Sequence, residues 1–595
     1  MQNTDKPNMR MLFGFWVLIC IVFAARTIFT GASVPLFGDT DDAMRMVVVQ
    51  DLLNGQNWFD HTQYRLNTPF GADIHWSRLV DVPLAAMVWL FQPLFGDMAL
   101  SIAAWVWPLS LLFVLLYLST RLTTCLVGPE GLLPAMVLPV LSAAVLVEFA
   151  PGRVDHHNVQ IILVLGLLYA TVRAWENPKW AALAGIAAAT SLAIGTEALP
   201  QIITAVAAFG LFYVLAPEKS KTLRWFGLAF GIGTLVHMFI YLPPQNWNAA
   251  CDALSLVYVG AGVGVGAVFV VLSLIVPARW QTRLILGGVL GFSVVGVLLL
   301  VFPQCLSGPY GAMEPWLVEN WLSKIIEAKP IWHSMAALPS YTIGIVVPPI
   351  AALLVLSIFI LRHEKSQRPQ WLILGLFLVV GILVVLAQVR GARLVAGMVA
   401  PVGAWAILAV RQRYLSRQSV MNAIGLLGTW LAFAGLAIAV LAGYILPRGQ
   451  DEAPPPISGN SSAQAMLTRS ACLQPDVFED LASLPPENIM APVDLGAHLL
   501  LFTPHSVVGA PYHRNQQGLI DTFRFFNAEL SEARTIVEKR DISLIVTCPY
   551  LPEMNGFADA DESSFIRTLN RGELPDWLED FTLPGSILNV YGVKN

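Results

Sequence analysis

The chain is poor in charge. Aspartate, glutamate, lysine and arginine supply 13% of its 595 residues, against 56% hydrophobic residues and a mean hydropathy of +0.63. A water-soluble protein carries about 25% charged residues, so this composition excludes a chain that is soluble throughout and calls for lipid as solvent. The net charge is only −5, and without a basic excess there is no electrostatic footprint for a nucleic-acid partner. No internal repeat is visible, which disfavours a transporter assembled from two related halves. No small-residue cleavage site follows the apolar run Met11 to Thr30, so that run reads as a retained first span and not a removed leader.

What is present is a series of apolar runs of about 17 to 25 residues, the length that crosses a bilayer. They are centred near Leu18, Leu109, Leu141, Leu165, Ala188, Ala207, Phe230, Val265, Val294, Leu354, Val379, Ala404 and Leu436. The pattern predicts a polytopic α-helical membrane protein with about 13 transmembrane helices. With the N-terminus inside, alternate short loops carry Lys6/Arg10, Arg121, Arg173/Lys179, Lys219/Lys221/Arg224, Arg279/Arg283, Arg362/Lys365/Arg368 and Arg411/Arg413/Arg417. Every inside loop is then basic, as positive-inside placement requires. An odd span count puts the C-terminus outside. The expected organisation is a membrane domain over 1–447, with a first outer loop at 31–80 and a long outer loop at 303–340. A Pro/Ser/Gly-rich linker at 448–464 and a soluble extracytoplasmic α/β domain at 465–595 follow.

Soluble-domain strands are expected at Leu499–Phe502, Ser506–Val508, Ile542–Thr547 and Ile587–Val590, with a helix over Thr522–Lys539. Of six cysteines, Cys20 and Cys125 fall in the membrane or on its inner side, and Cys251, Cys305, Cys472 and Cys548 fall outside. Cys472 could pair with Cys548 and Cys251 with Cys305, or all four could be free thiols.

Four outer segments carry unusual charge. Gly38-Asp39-Thr40-Asp41-Asp42-Ala43-Met44-Arg45 opens the first loop with three carboxylates, tolerated beside a membrane when a cation or proton relieves them. Such hard oxygen ligands suit Mg2+ or Mn2+; alternatively Asp41 or Asp42 caps the helix that follows. Arg153-Val154-Asp155-His156-His157 sets four ionisable residues between long apolar runs, hard to explain as packing. Ile326-Glu327-Ala328-Lys329-Pro330 lies in the long loop. Gln388-Val389-Arg390-Gly391-Ala392-Arg393 places two arginines on the face where arginine is disfavoured. A guanidinium there fits a phosphate, or pairs with the outer carboxylates.

Taken in order, these segments resemble the catalytic subunit of the oligosaccharyltransferases, especially the archaeal branch, within the GT-C superfamily of polyprenol-dependent glycosyltransferases. Asp39 and Arg45 keep the spacing of that family's first motif. Asp60, Tyr64, Pro69-Phe70-Gly71, His75-Trp76 and Asp81-Val82-Pro83-Leu84-Ala85 are similar to the rest of its first loop. Asp155-His156-His157 resembles its second acidic motif, Glu327-Ala328-Lys329-Pro330 the segment around its mobile-loop glutamate, and Arg393 its phosphate-holding arginine. One departure is sharp: where the family has Trp-Trp-Asp-Tyr-Gly, this chain has Pro492-Val493-Asp494-Leu495-Gly496.

The resemblance implies an inverting membrane glycosyltransferase. Its donor is a polyprenyl-(pyro)phosphate sugar or oligosaccharide, and its acceptor an envelope glycan, lipid or protein. It implies a divalent metal, Mg2+ or Mn2+, on Asp39, Asp155, His157 and Glu327. Asp39, Asp155 and Glu327 are the expected catalytic residues, and Arg393 with Arg390 the donor-phosphate site. Asp41, Asp42, Arg45, His156, Asp494 and His513 are expected on the acceptor side or in support. The expected location is the inner (cytoplasmic) membrane, with site and C-terminal domain periplasmic. The departure at Pro492–Gly496 keeps transfer to protein asparagine as an alternative, and a lipid-linked-sugar flippase is the rival of another class.

Overall fold

The structure, a computed structural model, describes residues 8–30, 35–242, 244, 247–362, 368–447, 449, 469–551, 553–554 and 561–594. The expected linker 448–464 lies almost wholly outside these residues, as do Lys6 and Lys365.

Each predicted apolar run forms helix. Among the described residues ten helices are long and apolar enough to cross a membrane, and two bent pairs bring the total to twelve: Pro129–Val140 with Ala143–Phe149, and Val420–Phe433 with Gly435–Ile445. The thirteenth expected span, around Ala188, is the helix Lys179–Ile194, 16 residues long. At about 1.5 Å per residue it falls short of a hydrocarbon core about 30 Å thick. The chain is a multi-span membrane protein. Trp280–Val301, the clearest case, buries none of its apolar window against protein, as a lipid-facing helix should. Ser220–Tyr241 and Leu256–Leu274 instead approach closely through glycine: a Cβ on Gly266 would lie 2.7 Å from the Gly227 carbonyl oxygen. Small residues permit such packing where apolar side chains gain nothing over lipid.

Outside the membrane helices, the first loop and the C-terminal region build one shared core. The loop pairs a short antiparallel ribbon, β1 (Thr62–Gln63) with β2 (Ala72–Asp73). The C-terminal region holds a five-stranded mixed sheet of β3 (Asn488–Met490), β4 (Ser506–Val507), β5 (Leu544–Thr547), β6 (Leu578–Asp580) and β7 (Asn589–Val593), in the order β4-β3-β5-β7-β6. β3 runs parallel to β4 and β5, whereas β7 is antiparallel to β5 and β6. The first loop extends this sheet at β4: Val507 N donates to Arg65 O and Thr68 N to Val507 O. Fully buried Arg540 bonds Asp521 on its own side and the carbonyl oxygens of Asn67 and Thr68 on the other.

Two local expectations change. Leu499–Phe502, expected as strand, ends the helix Val493–Phe502. Its buried leucines lack the β-branching that favours a strand, and so short an apolar run has no decisive period. The single helix expected over Thr522–Lys539 divides into Gln516–Asn527 and Leu530–Arg540.

All four cysteines expected outside are paired, Cys251 with Cys305 and Cys472 with Cys548, and Cys20 and Cys125 form no disulfide among the described residues. Cys472–Cys548 lies in the core of the C-terminal region, and Cys251–Cys305 joins two loops between membrane helices.

Candidate active site

The site forms where the loop after the first span meets the ends of the membrane helices on the same side. Asp39 has extended backbone and caps the helix Thr40–Leu53, its Oδ1 accepting from Asp41 N at 3.0 Å. Of the three carboxylates that could cap this helix, Asp39 does so; only a residue just before the first turn can aim its carboxylate back at the free amides. Asp42, one turn on and buried, accepts from Val154 N and Asp155 N at 2.8 and 2.9 Å. That pair of bonds locks the Arg153–His157 loop onto the first-loop helix. Arg45, three residues further along the same face, bonds Asp81 at 2.7 Å and Asp155 at 3.1 Å beneath the Trp76 ring.

Asp155 is the junction. Its Oδ1 receives Arg45 and lies 2.7 Å from His156 Nδ1; its Oδ2 lies 3.3 Å from His157 Nε2 and makes no hydrogen bond. Glu197 Oε1 sits 3.1 Å from His157 Nδ1 and 3.5 Å from His156 Nε2. A ligand atom from each of Asp155, His156 and His157 can lie within 4.8 Å of the others. A buried, unpaired carboxylate oxygen beside imidazole nitrogens fits a divalent cation.

A second chain of charges crosses the site. Arg153 Nη1 binds Asp39 and Asp42, each at 2.7 Å, and its Nη2 binds Glu148 at 2.8 Å. Glu148 also meets Arg393 at 3.4 Å, and Arg393 Nη2 reaches Glu327 at 2.8 Å. Seven carboxylates (Asp39, Asp42, Asp81, Glu148, Asp155, Glu197, Glu327) thus face four guanidiniums (Arg45, Arg78, Arg153, Arg393).

The loop carboxyls respond differently to this field. Burial pushes Asp42 up to about 7 despite Arg153. Burial also pushes Asp39 up, but Arg153 and the Asp41 amide outweigh it and hold the carboxyl below the ordinary aspartate range. For Asp155 burial is again overcome, by the two histidines and Arg45, and its carboxyl lies well below that range.

Eight expected residues, Asp39, Asp42, Arg45, Asp155, His156, His157, Glu327 and Arg393, therefore join one network. Asp41 sits beside it without an ion pair among the described residues. Arg390 bonds the Tyr310 hydroxyl and Gln388 instead. Asp494 pairs with Arg469, and His513 with Asp252, both apart from it. Glu148 and Glu197 were missed, although each is a lone carboxylate at the end of an apolar run, a signal in itself.

No family model matches the sequence, and no curated protein matches it by sequence. Solved structures do match by fold. The archaeal oligosaccharyltransferase AglB from Archaeoglobus fulgidus, in complex with an inhibitory peptide and a dolichol-phosphate, superposes with a TM-score of 0.67 at 14% identity, covering 98% of this chain and 74% of that one. The same organism's oligosaccharyltransferase tethered to an acceptor peptide gives 0.65 at 13% identity, covering 99% and 74%. Its complex with Zn and sulfate gives 0.59 at 13%, covering 93% and 69%. This chain shares their fold. The likeness extends over nearly its whole length, the C-terminal region included.

Proposed function

We propose that this GT-C-fold protein transfers a glycosyl group from a polyprenyl-(pyro)phosphate donor to an acceptor on the outer face of the cytoplasmic membrane. One observation carries the reading: acids, histidines and an arginine from five distant segments converge on Asp155 and Arg393, in a fold shared with an oligosaccharyltransferase. The two disulfides support an oxidising compartment for the loops and C-terminal region.

Asp155 and His157, with Asp39 and Glu327 from neighbouring loops, would hold the divalent metal. Bound there, the metal neutralises charge developing on the departing phosphate. Arg393 binds that phosphate through its planar fork. Its partner Glu327 is on the long outer loop with 64% of its side chain exposed, so it can swing away when a phosphate arrives. The acceptor then attacks the anomeric carbon, the carbon–oxygen bond to phosphate breaks, and its electron pair leaves with the polyprenyl phosphate. A loop carboxylate, Asp39 or Glu327, takes the acceptor proton. Attack opposite the leaving group inverts the anomeric centre.

Glycan, lipid and protein hydroxyls are the acceptors this site suits best. Asp494, the residue aligned with the peptide-recognition motif, is tied to Arg469, and Gly496 packs on the Gly509 backbone, where a Cβ would lie 2.0 Å from its carbonyl oxygen. Mass spectrometry of envelope glycans, lipids and proteins from cells with and without the gene tests the reading. A glycoform lost with the gene supports it, and identical profiles contradict it.

A further inference from the structure

Beside the acid network, on the far side of Trp76, lies a cavity of about 360 Å³, within the range of about 300 to 1,000 Å³ typical of small-molecule sites. His61, His75 and Trp76 of the first loop line it, with Tyr241, Asp252 and Arg514 from three other segments. Arg514 clamps Asp252 through Nε and Nη2 at 2.8 and 3.0 Å, and also binds Asp73. His513 Nε2 lies 2.8 Å from Asp252, and its ring packs against His75 and Tyr310. The Cys251–Cys305 bridge anchors Asp252 at its neighbour. Catalysis as described uses none of these groups.

We propose that this cavity binds an uncharged sugar ring of the substrate and so selects which glycan is transferred. The proposal rests on the adjoining network being a glycosyl-transfer site. Its lining alternates aromatic rings, which stack on sugar C–H faces, with planar polar groups that bond hydroxyl pairs. His61 Nε2 is buried with no hydrogen-bond partner among the described residues, and Asp252 Oδ1 accepts from Arg514 alone, so both have capacity left. Trp76 is a wall shared with the network, because its other neighbour is Arg45, bound to Asp155.

Charge decides the kind of sugar. Two carboxylates, Asp73 and Asp252, surround one guanidinium, Arg514. An anionic ring such as a uronate would enter a field of its own sign. Asp252, His75 and His513 also have metal-ligand spacing, but Arg514 covers both Asp252 oxygens and repels a cation.

The test uses full-length protein in nanodiscs and measures affinity for polyprenyl phosphate, bare or carrying a neutral hexose, an N-acetylhexosamine or a uronate. One neutral sugar should tighten binding by about tenfold or more, as a few charge-assisted hydrogen bonds allow. Ala250 also lines the cavity, so Asp252→Asn and the cavity-filling Ala250→Phe should both abolish that gain while leaving bare-lipid affinity unchanged. If the ring belongs to the acceptor, the gain appears instead for a free methyl glycoside added to lipid-loaded protein, and the same variants remove it. The inference falls if no neutral sugar gains in either form, if the uronate binds as well, or if both variants keep the gain. Failure of the wild type to bind even bare polyprenyl phosphate would instead overturn the donor assignment.

Discussion

Arg153 holds two carboxylates with one nitrogen, its Nη1 lying 2.7 Å from Asp39 Oδ2 and 2.7 Å from Asp42 Oδ2. Its other terminal nitrogen reaches Glu148, so one side chain joins the first loop to the end of a membrane helix. Arg153→Met would take the guanidinium from Asp42 and leave Glu148 only its longer contact with Arg393, both acids being nearly inaccessible. The expected loss is about 3 to 5 kcal/mol, the usual result of breaking a buried pair. Asp42→Asn added to that variant should recover part of it. Unfolding in detergent checks both, and unchanged stability of the single variant would show that the acids find other partners.

Asp39 caps a helix with one oxygen and faces the site with the other. Asparagine caps as well as aspartate, so Asp39→Asn should fold normally and lose transfer. Asp41→Asn, with no ion pair to break among the described residues, should change both by little. Rates and melting curves on the two purified variants separate the roles; equal activity in both would remove Asp39 from the mechanism.

Glu553 accepts the Asp494 amide at the start of the helix Val493–Phe502. Burial, and then the Asp494 charge, pushes its carboxyl up to about 8 from an ordinary 4.5. Between those values the folded state holds a proton the unfolded state has released, so stability falls as pH rises through the window. Above about 8 the loss is complete. Glu553→Gln should flatten this slope and stabilise the protein most at the alkaline end, as denaturation at a series of pH values will show.

Alkylation without reductant should label Cys20 and Cys125 only. Peptide mapping should then find Cys251 linked to Cys305 and Cys472 to Cys548. Quantitative labelling of any of those four would contradict both the pairing and the outward placement of their loops.

Much of this was legible in the sequence because lipid leaves little freedom: long apolar runs become helices, and charge at their outer ends stands out. Asp39, Asp155 and Arg393 were visible for that reason. Which of the clustered acids caps the helix was left open because helix boundaries depend on one residue's backbone angles, which composition does not encode. Glu148 and Glu197 were overlooked because each is a lone acid at the end of an apolar run, and their partners Arg393 and His157 come from other helices. The Asp252–Arg514 pair spans 262 residues, and no local pattern announces it. Leu499–Phe502 was misread because a short apolar run suits either a strand or a buried helix.

The central claim is that this site breaks a glycosyl–phosphate bond. Purified full-length protein in nanodiscs, given a polyprenyl-phosphate-linked sugar and a suitable acceptor, should release bare polyprenyl phosphate when Mg2+ or Mn2+ is present. Chelation should stop the release, and Asp155→Asn and Arg393→Ala should each nearly abolish it in the protein that melting curves show to be folded. Donor recovered intact after crossing the bilayer, or release undiminished in Asp155→Asn, would contradict the account.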